Sequence, residues 1–408
     1  MLFAVTLLHA AVPPASPVQR AELTPSVRST NDWFGISIAI SGNTVVVGDF
    51  DANIETYGAV YVYVKPANGW ANMTQVAKLT SSDNGEGFGV SVAISGNTIV
   101  VGAANTSNFA TPAAGPGAAY VFVEPSGGWA DMTETAKLTA SDGQPGDAFG
   151  NSVSISTSTI AVGAFFALDS SGNSFAGKAY VFLRPSSGWA GSLNETAKLT
   201  ASDSQLLNYM GASIATNGNT VVAGSYGHNN FQGTAYVFAE PITGWTSMTQ
   251  TAELTSSSGL PSAQFGFSSA INGDTIVEGS PNAFAGRGAA YVFIKPATGW
   301  TNATQTASLR APNTTQFNGF GQSVGISSNA IVVGSPGVTV GSNLLQGAVY
   351  FFPKPASGWK NSSKAYELTA SDGAAFDNLG VSSAISEATV VAGAPKSATP
   401  GSAYVFGP

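Results

Sequence analysis

FGVSVAISGNTIVVGAANTSNFATPAAGPGAAYVFVEPSGGWADMTETAKLT, residues 88–139, contains four short runs with the chemistry of β-strands. Run A is Phe88–Ile94, run B Thr98–Ala103, run C Gly117–Val123 and run D Thr135–Thr139. Val, Ile, Tyr, Phe and Thr fill them, because branched and aromatic side chains suit a pleated, half-buried surface. Turn residues separate them. Gly96-Asn97 between A and B is a two-residue hairpin signal, since Gly takes a positive φ at no steric cost. Pro125-Ser126-Gly127-Gly128-Trp129 turns the chain from C to D. The stretch predicts a four-stranded antiparallel meander.

The same unit recurs along the 408 residues. Run A begins at Phe34, Phe88, Phe149, Met210, Phe265, Phe320 and Leu379, each followed by Gly, with spacings of 54 to 61 residues. Run B ends in V/A/E-Gly-D/A/S each time, from Val45–Asp49 to Val390–Ala394. Run C carries Tyr61, Tyr120, Tyr180, Tyr236, Tyr291, Tyr350 and Tyr404 at one fixed position. A regular repeat overrides any domain count based on length. The seventh copy stops after run C, while an unpaired run D, Ala21–Thr24, precedes the first Phe-Gly. Together these make twenty-eight runs, or seven sheets of four. The stranded run completes the last sheet only if the two ends of the chain meet. That is ring closure, which leaves only short protected edges. An open solenoid would need capping repeats instead. The expected fold is therefore an all-β, seven-bladed β-propeller with four antiparallel strands per blade, in which the N-terminal strand completes the last blade.

Run A alternates small and large residues: Gly89, Ser91 and Ala93 against Val90, Val92 and Ile94. Neither face is charged, so both are expected to be buried, with one blade's small face against its neighbour's large face near the axis. This places A innermost and D outermost. The C-run tyrosines should pack between blades with the phenol oxygen on a polar partner.

Composition bounds the function. Only 9% of residues are charged, yet 43% are hydrophobic and lie in regularly spaced runs, which argues against disorder. The net charge is −8 and no basic stripe exists, so nucleic acid is not an expected partner. With no cysteine, disulfides and thiolate metal sites are excluded. The opening MLFAVTLLHAAVPPAS has the apolar core and small-residue end of a secretory signal peptide, without the positive n-region. The expectation is a leader over residues 1–19, a propeller over 20–408 and a secreted or cell-surface location. No other apolar run is long enough for a transmembrane helix.

Seven paired FG and G(A/S)P signatures, such as Phe320-Gly321 with Gly334-Ser335-Pro336 and Leu379-Gly380 with Gly393-Ala394-Pro395, resemble the FG-GAP repeats of the integrin α-subunit propeller and its secreted bacterial relatives. The resemblance covers Ala21 to Pro408. It implies a secreted or surface platform for adhesion or ligand binding, often stabilised by calcium. In that family calcium sits in an acidic A–B loop. Here those loops are Ser41-Gly42-Asn43, Ser95-Gly96-Asn97, Asn272-Gly273-Asp274 and Ser327-Ser328-Asn329, which hold too few carboxylates to wrap a hard cation. Calcium sites are therefore not carried over, and neither is metal-dependent pairing with a partner subunit.

The remaining candidates each have an ordinary reading. Asp49, Asp51, Asn53 and Glu55 alternate oxygens like half a calcium loop, but lack the central Gly and the distal Glu. A plain polar loop is the better reading. Asp83, Asp142, Asp147, Asp203, Asp372 and Asp377 recur between D and A, where Asx turns account for them. Of the two histidines, His9 falls in the leader and His228 in a loop, where a lone His is usually solvated and no triad spacing surrounds it. Glu278 replaces an apolar residue in run B; a tolerated edge or rim position is favoured over a tuned acid. Trp70, Trp129, Trp189, Trp245, Trp300 and Trp359 are expected to staple the C–D turn rather than stack on sugars. Six N-x-S/T sequons, at Asn72, Asn105, Asn194, Asn302, Asn313 and Asn361, are what the composition predicts by chance.

The expected function is a non-enzymatic, extracytoplasmic binding or adhesion module for an unknown protein or glycan, with no catalytic residue, metal or cofactor assigned. The variable B–C loops, such as residues 105–117 and 164–177, are the expected contact surface. The alternatives are a glycan-active hydrolase or lyase, which clustered axial carboxylates would favour, and a structural part of a larger envelope protein.

Overall fold

The computed structural model describes residues 16–27, 33–50, 58–104, 115–312, 315–395 and 400–408. The expected leader up to residue 15, the loop positions Asp51, Asn53 and Glu55, and most of the 105–117 loop lie outside these residues.

The strands form seven sheets. Their innermost strands are Phe34–Ser41, Phe88–Ser95, Phe149–Ser156, Ser213–Thr216, Ser268–Asn272, Ser323–Ile326 and Ser382–Ser386, defining blades one to seven. In blade two, Phe88–Ser95 pairs with Thr98–Ala103, which pairs with Ala118–Val123, which pairs with Ala136–Thr139, all antiparallel. Ser95 sits opposite Thr98, so Gly96-Asn97 is a two-residue turn, with Gly96 at φ 59°. The innermost position of run A is visible in the channel on the axis. All seven A strands line it, around a cavity of about 220 Å³.

Ring closure follows the expected pairing. Val18–Thr24 lies antiparallel to Ser402–Gly407, with Ala21 opposite Val405 and Leu23 opposite Ala403. Arg20 reaches the carbonyl oxygens of Gly407 and Pro408, and Ser402 Oγ donates to Glu22 Oε1 at 2.7 Å.

The core is divided into seven clusters, one per blade interface. Between blades two and three, Ala93, Val100, Ala119, Val121, Ala136 and Leu138 face Phe149, Val153, Ile155, Ile160, Val162, Tyr180 and Phe182. The small face of one sheet thus receives the large face of the next, as the alternation in run A implies. Each fully buried large side chain contributes roughly 1.5–3 kcal/mol. The Phe of each Phe-Gly packs edge-on against this wall; Phe149 lies 5.3 Å from Tyr180 and 6.1 Å from Phe182.

The repeated glycines have a steric cause. Gly89 sits at φ 93° and turns its carbonyl back toward blade one. There Ser37 Oγ donates to it at 2.7 Å. The carbonyl arrives over Gly48, where a Cβ would overlap both the oxygen and the hydroxyl. One side chain, one positive φ and one missing Cβ therefore form a single joint. It is made by Ser37, Ser91, Ser152, Ser213, Ser268, Ser323 and Ser382, each donating to the Gly of the next blade at 2.6–2.9 Å.

The outer rim adds to the four strands per blade. A short segment from the following repeat joins the D strand in parallel in blades two, three, four and seven, as Gly191–Asn194, Met248–Thr249, Ala303–Thr304 and Met73–Thr74. Met132 and Ser362 make single parallel bridges at Leu79 and Leu309. Gln and Glu side chains latch the same joints. Gln75, Glu134, Glu195, Gln250, Gln305 and Gln19 accept from the backbone N–H of Ser26, Ser82, Ser141, Ser202, Ser257 and Ser371 at 2.8–2.9 Å. The sequon residues Asn72, Asn302 and Asn361 accept from D-strand backbone N–H groups at 2.8–2.9 Å. Trp129, Trp189, Trp245, Trp300 and Trp359 are buried, which matches the stapling role. Among the described residues, no helix is long and apolar enough to cross a membrane.

Candidate ligand-binding face

Antiparallel strands alternate direction, so the B–C and D–A connections of every blade share one end of the ring. The A–B and C–D turns share the other. That second end is built of tight turns whose polar groups serve the blade joints. Gly96 N–H, for example, donates to Ser41 Oγ at 3.1 Å, and Thr157 N–H to Ser95 Oγ at 3.2 Å.

The first end is different. Seven aromatic rings outside the repeat pattern run from blade three to blade five across it. Phe165 and Phe166, just after a B strand, have centroids 3.9 Å apart. Phe166 meets Phe175 edge-on at 4.9 Å and Tyr209 at 6.0 Å. Tyr209 stacks on Tyr226 at 5.1 Å with 16° between planes. Phe231 lies 6.2 Å from Tyr209. Tyr226 reaches Phe267, at the wall of the axial channel, at 5.6 Å. Phe175 is exposed and the other six are half-buried. Leu206, Phe317, Leu344 and Phe376 are exposed on neighbouring loops of the same end. Burial pushes the Tyr226 phenol up to about 12, and Tyr209 upward as well, so both remain neutral hydrogen-bond donors at physiological pH.

Three of the seven rings are held in costly backbone. Phe175 and Tyr209 sit at φ 57° and Phe231 at φ 62°, in the left-handed region that bulky L-residues avoid. Such strain costs on the order of 1–3 kcal/mol per residue and collects at functional sites. Phe231 closes a single helical turn, His228–Phe231, whose Asn229 and Asn230 are also left-handed.

The loop carboxylates divide into two kinds. Asp147 and Asp377 are buried and accept the backbone N–H groups of Gln144 and Ala374, three residues earlier, at 2.8 Å, closing the loop without the Asx turn expected there. Asp83, Asp142 and Asp203 instead anchor the next C-strand phenol: Tyr120, Tyr180 and Tyr236 donate to them at 2.7–3.1 Å. Lysine neutralises two of these, with Lys137 on Asp83 and Lys178 on Asp142 at 2.9 Å. Burial pushes Asp142 up, but the Lys178 and Lys198 ammonium groups outweigh it and hold the carboxyl below its usual range.

Two residues depart from their sequence-based readings. His228 is not a solvated loop residue: its side chain is only 18% exposed, and Nε2 lies 3.2 Å from Asp203 Oδ2. That contact, then burial, then Tyr236 act on Asp203, and the net effect lowers its pKa. Glu278 is not at an edge or rim. It is fully buried, opposite Ser269 and Tyr291, with Ser269 Oγ donating to Oε2 at 2.8 Å and Oε1 lacking a partner. Burial drives its pKa well above the ordinary value. Its neighbours explain the position: B-strand residues face the adjacent blade, and Glu278 stands where the other six B strands carry Val or Ala. Asp49 is buried at the end of its B strand.

The aromatic row was not singled out from the sequence. The available signal was phase, since these rings fall outside the repeated Phe-Gly and Tyr-x-Phe positions.

A family profile described as FG-GAP repeat matches the chain seven times, over residues 17–63, 73–122, 132–182, 193–238, 248–293, 303–352 and 363–406. Each match opens beside a D strand and ends on a C strand, one strand out of phase with the sheets. No curated protein matches the chain.

Proposed function

The chain belongs to the FG-GAP repeat family, and on that premise we propose that it is a non-enzymatic, extracytoplasmic binding or adhesion module that takes a protein or glycan ligand on its B–C/D–A face. The observation that carries this reading is the row of rings from Phe165 to Phe267, of which Phe175 is exposed and Phe175, Tyr209 and Phe231 sit at positive φ. Flat aromatic surfaces with polar tips supply contact area at low entropic cost, and a rigid scaffold holds them ready. The apolar composition of the opening MLFAVTLLHAAVPPAS, like that of a secretory signal, supports export.

Three of the candidate carboxylates are unavailable for hydrolysis. Asp83 and Asp142 are committed to phenols and lysines. Glu278, beside the channel-lining Ser269, is sealed from solvent and beyond a substrate's reach. Glycosidases need two carboxyls flanking the scissile bond.

The test is a glycan and matrix-protein array probed with the full chain, with and without EDTA, beside Tyr209→Ala and Phe175→Ala. Loss of signal in both variants, at wild-type melting temperature, supports the reading. Undiminished binding by both, or cleavage of an arrayed glycan, overturns it.

A further inference from the structure

We propose that Asp203, His228 and Glu253 form a binding site for a divalent transition-metal ion of the Zn²⁺ class, on the outer part of the same end of the ring. One donor atom from each lies within 4.8 Å of the other two. The pair already in contact, His228 Nε2 and Asp203 Oδ2, is 3.2 Å apart. Two ligands at about 2.0–2.1 Å from a tetrahedral zinc are separated by roughly 3.3 Å, so these atoms stand at the edge length of a zinc site.

The carboxylates are oriented from behind. Tyr236 OH donates to Asp203 Oδ1 at 2.8 Å, and Thr234 Oγ1 donates to Glu253 Oε1 at 3.0 Å. Such outer hydrogen bonds fix the direction in which a ligand points its lone pairs. The imidazole is carried by the helical turn, which is closed by Gly233 N–H on His228 O at 3.0 Å.

Comparison between repeats separates this place from its equivalents. The D-strand residue opposite the C-strand tyrosine is Lys78, Lys137 and Lys198 in blades one to three, Ser308 in blade five, and Glu253, Glu367 and Glu22 in blades four, six and seven. Lys137 and Lys198 bring their ammonium groups to Asp83 and to Asp142, the latter at 3.3 Å. In blade four Glu253 replaces that cation with a second carboxylate, as Glu367 and Glu22 do in blades six and seven, and among the described residues only blade four adds a histidine, His228 from the B–C turn. One imidazole with two carboxylates suits zinc and its neighbours, whereas calcium prefers six to eight oxygens.

The test is titration of the EDTA-stripped full chain with ZnCl₂, read by calorimetry and thermal melting, beside CaCl₂. One equivalent of Zn²⁺ should bind and raise the melting temperature, with no response to Ca²⁺. Glu253→Lys, which restores the lysine of the first three blades, and His228→Ala should each weaken binding at least tenfold. If His228→Ala folds poorly, Glu253→Lys decides. Absence of stoichiometric binding in the wild type, or unchanged affinity in Glu253→Lys, overturns the site and leaves His228–Asp203 as a hydrogen-bonded pair.

Discussion

The hydroxyl of Ser382 donates to the carbonyl oxygen of Gly35 across 2.7 Å, although 347 residues separate them in the chain. It is the seventh of seven equivalent joints, and it forms only when blade seven meets blade one. The serine, the positive-φ glycine and the bare B-strand glycine are therefore one device repeated around the axis.

Removing the donor and filling the gap should differ in cost. Ser37→Ala and Ser382→Ala each lose one hydrogen bond, about 1 kcal/mol. Gly48→Ala drives a methyl into the Gly89 carbonyl and the Ser37 hydroxyl, and should cost about 3 kcal/mol. Urea denaturation of the three variants checks the order.

Leu23 is fully buried against blade one although it lies in the first described strand. Leu23→Ala should therefore destabilise as much as Leu138→Ala in the middle of the chain, about 2–5 kcal/mol. A much smaller loss at Leu23, measured by thermal melting, would mean that the terminal strand is dispensable to the ring.

Glu278 makes stability depend on pH in the direction opposite to an ordinary carboxylate. Its folded pKa is raised above the ordinary value of 4.5, so its contribution is complete below that value. The contribution then falls as pH rises toward the folded pKa, because the unfolded chain releases the proton first. Glu278→Gln, neutral and of the same shape, should gain about 1–3 kcal/mol at neutral pH and flatten the profile. Melting temperatures from pH 4 to 8 read this out.

Asp142 works the other way. Its folded pKa lies below the ordinary value of 3.8, so the stability it confers is present above that value and lost as pH falls through the folded pKa. Asp142→Asn should be less stable than wild type near neutrality and lose less on acidification below pH ~4. Acid titration followed by tryptophan fluorescence measures both slopes.

The rim latch is missing at one joint on both sides. Pro312 stands where other blades offer a serine N–H, and Lys364 where they offer Gln or Glu. Pro312→Ser with Lys364→Gln should restore it. The pair should be more stable than the sum of the single changes by about 1 kcal/mol. A double-mutant cycle in urea that shows no coupling would count against this.

The seven sheets, their strand order and the small-on-large packing could be read from the chain itself. Run A shows both of its faces in seven copies, and the displaced Ala21–Thr24 has only one place to pair. Burial of repeat-phase residues follows from local pattern because every blade solves the same packing problem. What tertiary structure alone decided lies off the repeat. Asp203, His228 and Glu253 come from three separate segments, and the rings from Phe165 to Phe267 come from four connections of the chain. Spacing along the chain carries no information about distances across a ring. Glu278 makes the same point: its burial is set by the neighbouring blade, which a single repeat does not contain.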